Sequence, residues 1–554
     1  MHIFKTIILT CLFIISFHFL QAQTIVKEKD YTLKYSTNKI GIQFDDTNTA
    51  TVIKAFDAFT DKEINIEKDS TTANRFTFKN ILPAQILKIQ YTTNGTNSKT
   101  TTKYMASASL SSGVINVYFN HPLNTTYVQT QNAVNLSNTL DDKLIEYINA
   151  CTATLDIAIY NSYSPSAATG IAGAINAAYT RGVQVRIIYD GSTGSVMIPL
   201  IDPAINKLAS PQSSSYAIMH NKFVIFDANS TDPNKPWVWT GSTNWTEAQI
   251  DGPDQNSVMA IQDQSLALAY KLEFEEMWGS NTVIPNELLS KFGPYKTDNT
   301  PHNFIIGGKT VESYFSPSDD VNTHIIATIN SANSDIDIAT MLITRTDITT
   351  ALLNKFDSGM TNINLVVDSQ NPSGNQFLTI QAGLLPNHVV KSSFAGIMHH
   401  KFMVVDNFDP TSDPLVLLGS HNWSSAAQTK NDENTLIVHD ANIANQYYQA
   451  FAYLYLQAGG IITNPLSVNE NTLTSNWIIY PNPSNGIFNI ENSSSTIPEN
   501  TTLNIIDILG RTILTKTYSP TSIETIDLSN KINGLYFIQL QNQNQSTNFK
   551  ILKE

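Results

Sequence analysis

"IMHNKFVIFD" occupies residues 218–227, and "IMHHKFMVVD" occupies residues 397–406. His220, Lys222 and Asp227 of the first stretch match His399, Lys401 and Asp406 of the second, with 179 positions between the histidines. Each stretch continues into a second signature, "GSTNWT" at 241–246 and "GSHNWS" at 419–424. Short apolar runs bounded by turn residues read as strands. Each copy therefore predicts a hairpin: the motif runs out, a segment with Asp-Pro turns, and the Gly-Ser signature returns. Side chains alternate faces along a strand, so His220 shares a face with Lys222, and His399 with Lys401. Asp227 and Asp406 fall on the other face or past the strand end, away from substrate.

The repetition reaches beyond these ten letters, through residues 113–460. "INVYFNHP" (115–122) parallels "VESYFSPS" (311–318). Helical patterns follow, with Leu140, Leu144, Ile145 and Ile148 on one apolar face and Val321, Ile325, Ile326 and Ile329 on the other. Then come the strands "TLDIAIYN" and "DIDIATML", a helix, and "VQVRIIYD" and "NINLVVDS". Strands alternating with helices predict an α/β unit with a mixed sheet covered on both faces. Two such units, 113–280 and 304–460, predict a pseudo-twofold pair joined by a Pro- and Gly-bearing linker at 281–303. Before them, residues 23–112 alternate apolar and polar in short runs and predict an immunoglobulin- or fibronectin-like β-sandwich. After them, residues 475–554 predict a second compact β-sandwich.

The 554 residues exceed what a single hydrophobic core supports. Residues 1–22, with Lys5 before the apolar "TIILTCLFIISFHFL" and Ala22 at the end, read as a secretory signal. Its removal takes away Cys11 and leaves Cys151 alone, so no internal disulfide supports the fold; Cys151 reads as a small core residue. The net charge of −14 repels nucleic-acid phosphates at long range. His121, His302, His421 and His439, outside the H-x-K pairs, read as loop or surface residues.

A His and a Lys on one face, with Ser and Asn from the return strand, make half of a phosphate cradle. Lys supplies charge, Ser and Asn supply hydrogen bonds, and His supplies a nitrogen that attacks or carries a proton. Two halves facing each other place a His on each side of one phosphorus, as in-line displacement requires. The pattern H-x-K-x4-D followed by G-S-x-N resembles the phospholipase D superfamily. That resemblance implies a phosphodiesterase working through a phosphohistidine, with His220, Lys222, Asp227, His399, Lys401 and Asp406 as the catalytic set and the two aspartates bracing it. It also implies that Ser242, Asn244, Ser420 and Asn422 bind the phosphate. The segments 228–240 and 407–418 are longer than usual for the family, which is expected to reshape the pocket mouth. A carboxylate just before an Asn usually orients each histidine; Glu433 fills that place in the second copy and Gln255 in the first. Glu433 beside His399 would make His399 the general acid and leave His220 as the nucleophile.

"YPNP" at 480–483, Gly486, "DILGR" at 507–511 and "NGLYFIQL" at 533–540 resemble the type A sorting domain of the type IX secretion system. With the signal sequence, this implies a secreted or surface-displayed protein that meets the secretion machinery; the chain is expected to be a monomer able to make peripheral contact with membrane. Phospholipid head-group cleavage is the leading expectation for activity. The alternatives are an endonuclease of the same superfamily and a catalytically inactive surface binding protein. No Cys/His ligand cluster or carboxylate cage accompanies either motif, so no metal or cofactor is expected. Turnover by the mature protein should therefore persist in excess EDTA; its abolition by EDTA and rescue by one divalent ion would contradict the two-histidine scheme.

Overall fold

A computed structural model describes residues 24–27, 31–35, 39–44, 50–68, 74–93, 100–162, 165–213, 215–369, 374–462, 477–492, 502–507, 511–517, 524–541 and 546–554. Residues 1–22, read above as a signal sequence, and the middle of "DILGR" lie outside them. Two compact units result, 1–461 and 462–554. No helix among the described residues is long and apolar enough to cross a membrane.

The first repeat is an eight-stranded mixed sheet in the order Val134–Asn135, Ile115–Phe119, Ser257–Ile261, Trp237–Gly241, Lys222–Phe226, Thr154–Ile159, Gln184–Tyr189, Asn206–Ala209. The second repeats it as Asn303–Ile306, Lys309–Ser316, Glu433–His439, Leu415–Gly419, Lys401–Val405, Ile336–Thr340, Ile363–Val367, Val389–Lys391. Both motifs thus sit on central strands whose five residues are all buried. Period-two alternation explains why: Val224 and Phe226 join one core with Leu144, Ile148 and Ile175, while Phe223 turns to Tyr270 and to Phe315 of the other repeat. The predicted helices form at Leu140–Ala150 and Val321–Ser331 and bury Leu140, Leu144 and Ile148, and Val321, Ile325 and Ile329. Cys151 is buried, and burial raises its thiol pKa out of the reactive range.

The turning segments of the two hairpins lie at the end of the sheet opposite the histidines, roughly 16 Å away along a five-residue strand. They therefore do not shape the pocket mouth, contrary to the expectation from their length. The first instead receives the chain leaving the N-terminal domain: Ser111 Oγ donates to Pro233 O, and Ser112 N donates to Asn234 Oδ1 at 2.9 Å. That domain is the expected sandwich, a five-stranded and a four-stranded sheet around Ile40, Ile42, Phe44, Phe78 and Ile89. Ile305 of the second repeat packs against the same core.

The linker is anchored rather than loose. Lys296, fully buried, pairs with Glu273 and lies 3.4 Å from Asp432. His302 has Nε2 3.1 Å from Asp298 and Nδ1 3.8 Å from Asp319, and Lys103 of the N-terminal domain is 2.9 Å from Asp298. Nδ1 has its hydrogen-bond partner in Ser313 O at 3.0 Å, so both ring nitrogens face acceptors, the arrangement of a protonated imidazolium within an ion-pair chain. Described by itself, the second unit packs sheets of three and four strands around Trp477, Phe488, Ile505, Ile538 and Ile551.

Against the cost of burial, the Asp298 hydrogen bond and the Asp319 charge raise the His302 pKa to about 9. The folded state thus holds a proton that the unfolded chain releases near pH 6.5. The resulting stabilisation, at most about 3 kcal/mol, is complete below that pH and is lost as pH rises through 9. His302→Gln should lower Tm at pH 6, and calorimetry should show the deficit shrinking by pH 10.

Candidate active site

Residues 218–222 and 397–401 enter their strands from a crossover between the repeats. Met219 and Asp432 form one parallel bridge, and Gln255 and Met398 form the other. His220 N donates to Asp432 O at 2.9 Å, and His399 N donates to Gln255 O at 2.9 Å. Behind each crossing, Asp190 Oδ2 accepts from Met219 N at 2.8 Å and Asp368 Oδ2 from Met398 N at 2.7 Å. These two aspartates were not singled out from the sequence, although both repeats end the same strand with Asp.

The crossing sets the histidine partners. His220 Nδ1 lies 2.7 Å from Glu433 Oε2, and His399 Nδ1 lies 2.9 Å from Asn256 Oδ1. Glu433 therefore orients the histidine of the other repeat, not His399. Gln255 orients neither: its Nε2 donates to Pro253 O at 2.9 Å. Its backbone occupies the position of Asp432, so Asn256 is the counterpart of Glu433. Matching "QN" to "EN" in sequence slips the register by one, and one residue on a strand reverses the face. Ser242 Oγ donates to Asn256 Oδ1 at 3.0 Å, and Ser420 Oγ donates to Glu433 Oε2 at 2.7 Å. A hydroxyl has one proton. Both serines thus hold the orienting groups in place and have no proton left for a phosphate oxygen.

Asn244 and Asn422 are placed differently. Asn244 is 3% exposed, and neither Asn244 Oδ1 nor Asn422 Oδ1 has a partner among the described residues. Lys222 Nζ donates to His220 O and Lys401 Nζ to His399 O, each at 2.8 Å. The Tyr160 ring lies against both His220, at 4.8 Å, and Lys222, at 5.0 Å. Burial and then the two lysines push both histidines well below the usual imidazole range. Burial also depresses Lys222, and it brings Lys401 down to about 7. A cluster of partly neutralised cations is what a site built for an anion becomes when desolvated.

Asp227 and Asp406 do not reach this cluster and are not catalytic groups. Each follows its strand with a left-handed backbone, φ 50° and 55°, a region that Asp tolerates better than most residues. Asp227 accepts from Thr152 N, Ala153 N and Thr154 N at 2.6–3.2 Å. Asp406 accepts from Asn333 N and Ser334 N at 2.8 Å. They clamp the turn between the first helix of each repeat and the strand that follows it, Thr154–Ile159 or Ile336–Thr340. Two histidines read as loop or surface residues are buried instead: His121 at 4% exposed and His421 at 3%. His121 Nε2 lies 2.8 Å from His400 Nε2 across the repeat interface. Among the described residues, the group able to hold a metal is Asp298, His302 and Asp319, which includes no motif residue.

A family model described as "Cardiolipin synthase, PLD-like domain" matches residues 144–278 and 325–455. Another, "Secretion system C-terminal sorting domain", matches 478–554. The chain thus carries two phospholipase D-like domains and a type IX sorting domain that directs it to the cell surface or beyond. It is similar to a mitochondrial cardiolipin hydrolase of Xenopus tropicalis, 31% identical over 129 residues, which are 23% of this chain and 54% of that one. The Homo sapiens protein of the same description is 30% identical over 140 residues, 24% of this chain and 50% of that one. The chain therefore spans about half the length of the curated relatives it matches. Among solved structures, a phospholipase D family member, Nuc from Salmonella typhimurium, is 24% identical, with a TM-score of 0.23 over 27% of this chain and 95% of that one.

The division between clamp and cradle is testable. Asp227→Ala strands several buried N–H groups and should cost about 3 kcal/mol or more. Lys222→Met removes one of two buried like charges and should leave Tm unchanged or raised. It should nonetheless lower kcat by about 10²–10³-fold, the effect of losing one preorganised electrostatic contact. Calorimetry beside rate measurements on the two variants separates the roles.

Proposed function

We propose that this chain, built on two phospholipase D-like domains, is an exported phosphodiesterase that hydrolyses phospholipid head-group esters through a phosphohistidine. One observation carries the proposal: each histidine has its Nδ1 held by the opposite repeat, which leaves both Nε2 atoms for chemistry beside the same two buried lysines. The resemblance to cardiolipin hydrolases supports a lipid substrate, as does the acidic net charge of −14.

The unequal partners distribute the work. His220 Nδ1–H faces a carboxylate, so the positive charge that grows on its ring as Nε2 bonds to phosphorus is compensated, and His220 is the nucleophile. His399 faces a neutral amide through Nδ1; once the negative charge of a bound phosphate offsets the two lysines, its Nε2 takes up a proton, holds it weakly and gives it to the leaving alkoxide oxygen. It then takes a proton from the water that attacks the phosphohistidine and releases His220. The expected roles are kept, but the reason is reversed: the carboxylate serves the nucleophile. Lys222, Lys401, Asn244 and Asn422 bind the phosphate oxygens and stabilise their charge as the bond exchanges.

Head-group release from phosphatidylcholine or cardiolipin vesicles, compared with nicking of plasmid DNA, tests the substrate; nicked DNA with intact lipid would favour a nuclease. With a nitrophenyl ester, whose leaving group needs no protonation, His399→Ala should still trap phosphohistidine in a single turnover and His220→Ala should not. The alkaline limb of kcat/KM should fall with a pKa near 7, because phosphate binding needs Lys401 protonated and burial holds it at about that value.

A further inference from the structure

His421, the third residue of "GSHNWS", belongs to neither half of the scheme above. It is 3% exposed, and no other residue among those described gives either ring nitrogen a hydrogen-bond partner. Its chain neighbours place it: Ser420 donates to Glu433 at 2.7 Å, and Trp423 forms a bridge with Ile343, two residues before Arg345. His421 interacts electrostatically with Glu433, His220 and Arg345. Arg345, itself held by Asp347 at 3.0 Å through Nε, is partly exposed. The first repeat has Thr243 at this position, its hydroxyl 3.5 Å from Ser257 O. The imidazole is thus a departure from the pseudo-symmetry, one residue along the chain from the serine that grips Glu433, the partner of His220.

Burial holds His421 at a pKa of about 4, so near neutrality it carries one N–H donor and one acceptor. A buried donor without a partner costs stability, and such groups in native folds call for an explanation. In-line attack by His220 sends the leaving oxygen to the opposite side, toward His399. The arm that stays on phosphorus stands to the side of that line, where an unpaired group at the nucleophile's end of the site, such as His421 next to Ser420, is available to it.

We propose that His421 is a specificity-determining residue that donates a hydrogen bond to an oxygen on the retained arm of the substrate, an acyl-ester carbonyl or a sugar oxygen a few bonds from phosphorus. A bare hydrocarbon arm leaves the imidazole unpaired, and an oxygenated arm satisfies it. The inference deepens the phosphodiesterase reading and rests on it.

Three soluble diesters sharing a p-nitrophenolate leaving group test it, with ethyl, dihexanoylglycerol or 5′-nucleoside as the retained arm. The wild-type protein should prefer an oxygenated arm over ethyl in kcat/KM. His421→Thr, the residue of the sister repeat, should shrink that preference at least 5-fold while the ethyl ester changes less than 2-fold. His421→Gln, which keeps a donor, should retain part of the preference. Which oxygenated arm loses more tells lipid from nucleotide. Equal losses on all three esters would make His421 a scaffold residue, and no loss on any would remove it from the site; either result overturns the proposal. If the wild-type protein cleaves none of the three, the phosphodiesterase reading fails. Calorimetric binding of dihexanoyl phosphatidate then decides His421 separately: binding at least 5-fold tighter than by His421→Thr supports it, and equal or absent binding overturns it.

Discussion

Two short bridges, Met219 with Asp432 and Gln255 with Met398, carry the rest of the site. Each seats the backbone of one histidine on the strand entry of the other repeat, and the next residue along then reaches the imidazole. The catalytic geometry is thus a property of the interface. Neither repeat alone can orient its own histidine, because the orienting group belongs to the other. Both lysines are buried at this closure, where Lys222 feels the charges of Lys401 and of Glu433 from the other repeat.

Much of this was legible in the sequence. The motif hairpins, the helix faces and the alternation of strands with helices follow from period-two and period-3.6 patterns, which act locally. The partners of the histidines were not, because they are set by contacts across 213 positions for His220 and 143 for His399. Sequence alignment on the shared Asn then chose Gln255 over Asn256, although the hydrogen-bonded register decides for Asn256. The serines failed for a related reason. Their type fits phosphate, but their one proton is committed to an acceptor that only the fold brings near. The burial of His121 depends on partners distant in sequence: besides Phe119, two residues before it, His400 and Tyr453 pack against its ring.

The long hairpin turns had seemed to bear on substrate choice. Because the motif histidines stand at the strand entry and the turns at the exit, the extra residues serve assembly. Pro233 and Asn234 receive Ser111 and Ser112, and Gln264 reaches Ser230 O at 2.7 Å. The N-terminal sandwich is fastened from the far side of the sheet, and its Lys103 extends the ion-pair chain through Asp298 and His302 into the second repeat. An added domain can be held firmly this way without touching the chemistry.

Duplication within one chain frees the two halves to differ, and they differ where the chemistry is asymmetric. A symmetric pair would give both histidines the same proton affinity, whereas the in-line displacement proposed above needs one to bond phosphorus and the other to release a proton. Placing a carboxylate behind one ring and an amide behind the other separates the two affinities without moving an atom of the backbone, because Asn256 and Glu433 occupy the same register position and are gripped by equivalent serines. A second carboxylate behind His399 would also draw on the field of Lys222 and Lys401, weakening their hold on a phosphate anion in a site where charge interactions are poorly screened. The amide keeps the orienting hydrogen bond and leaves that field to the substrate.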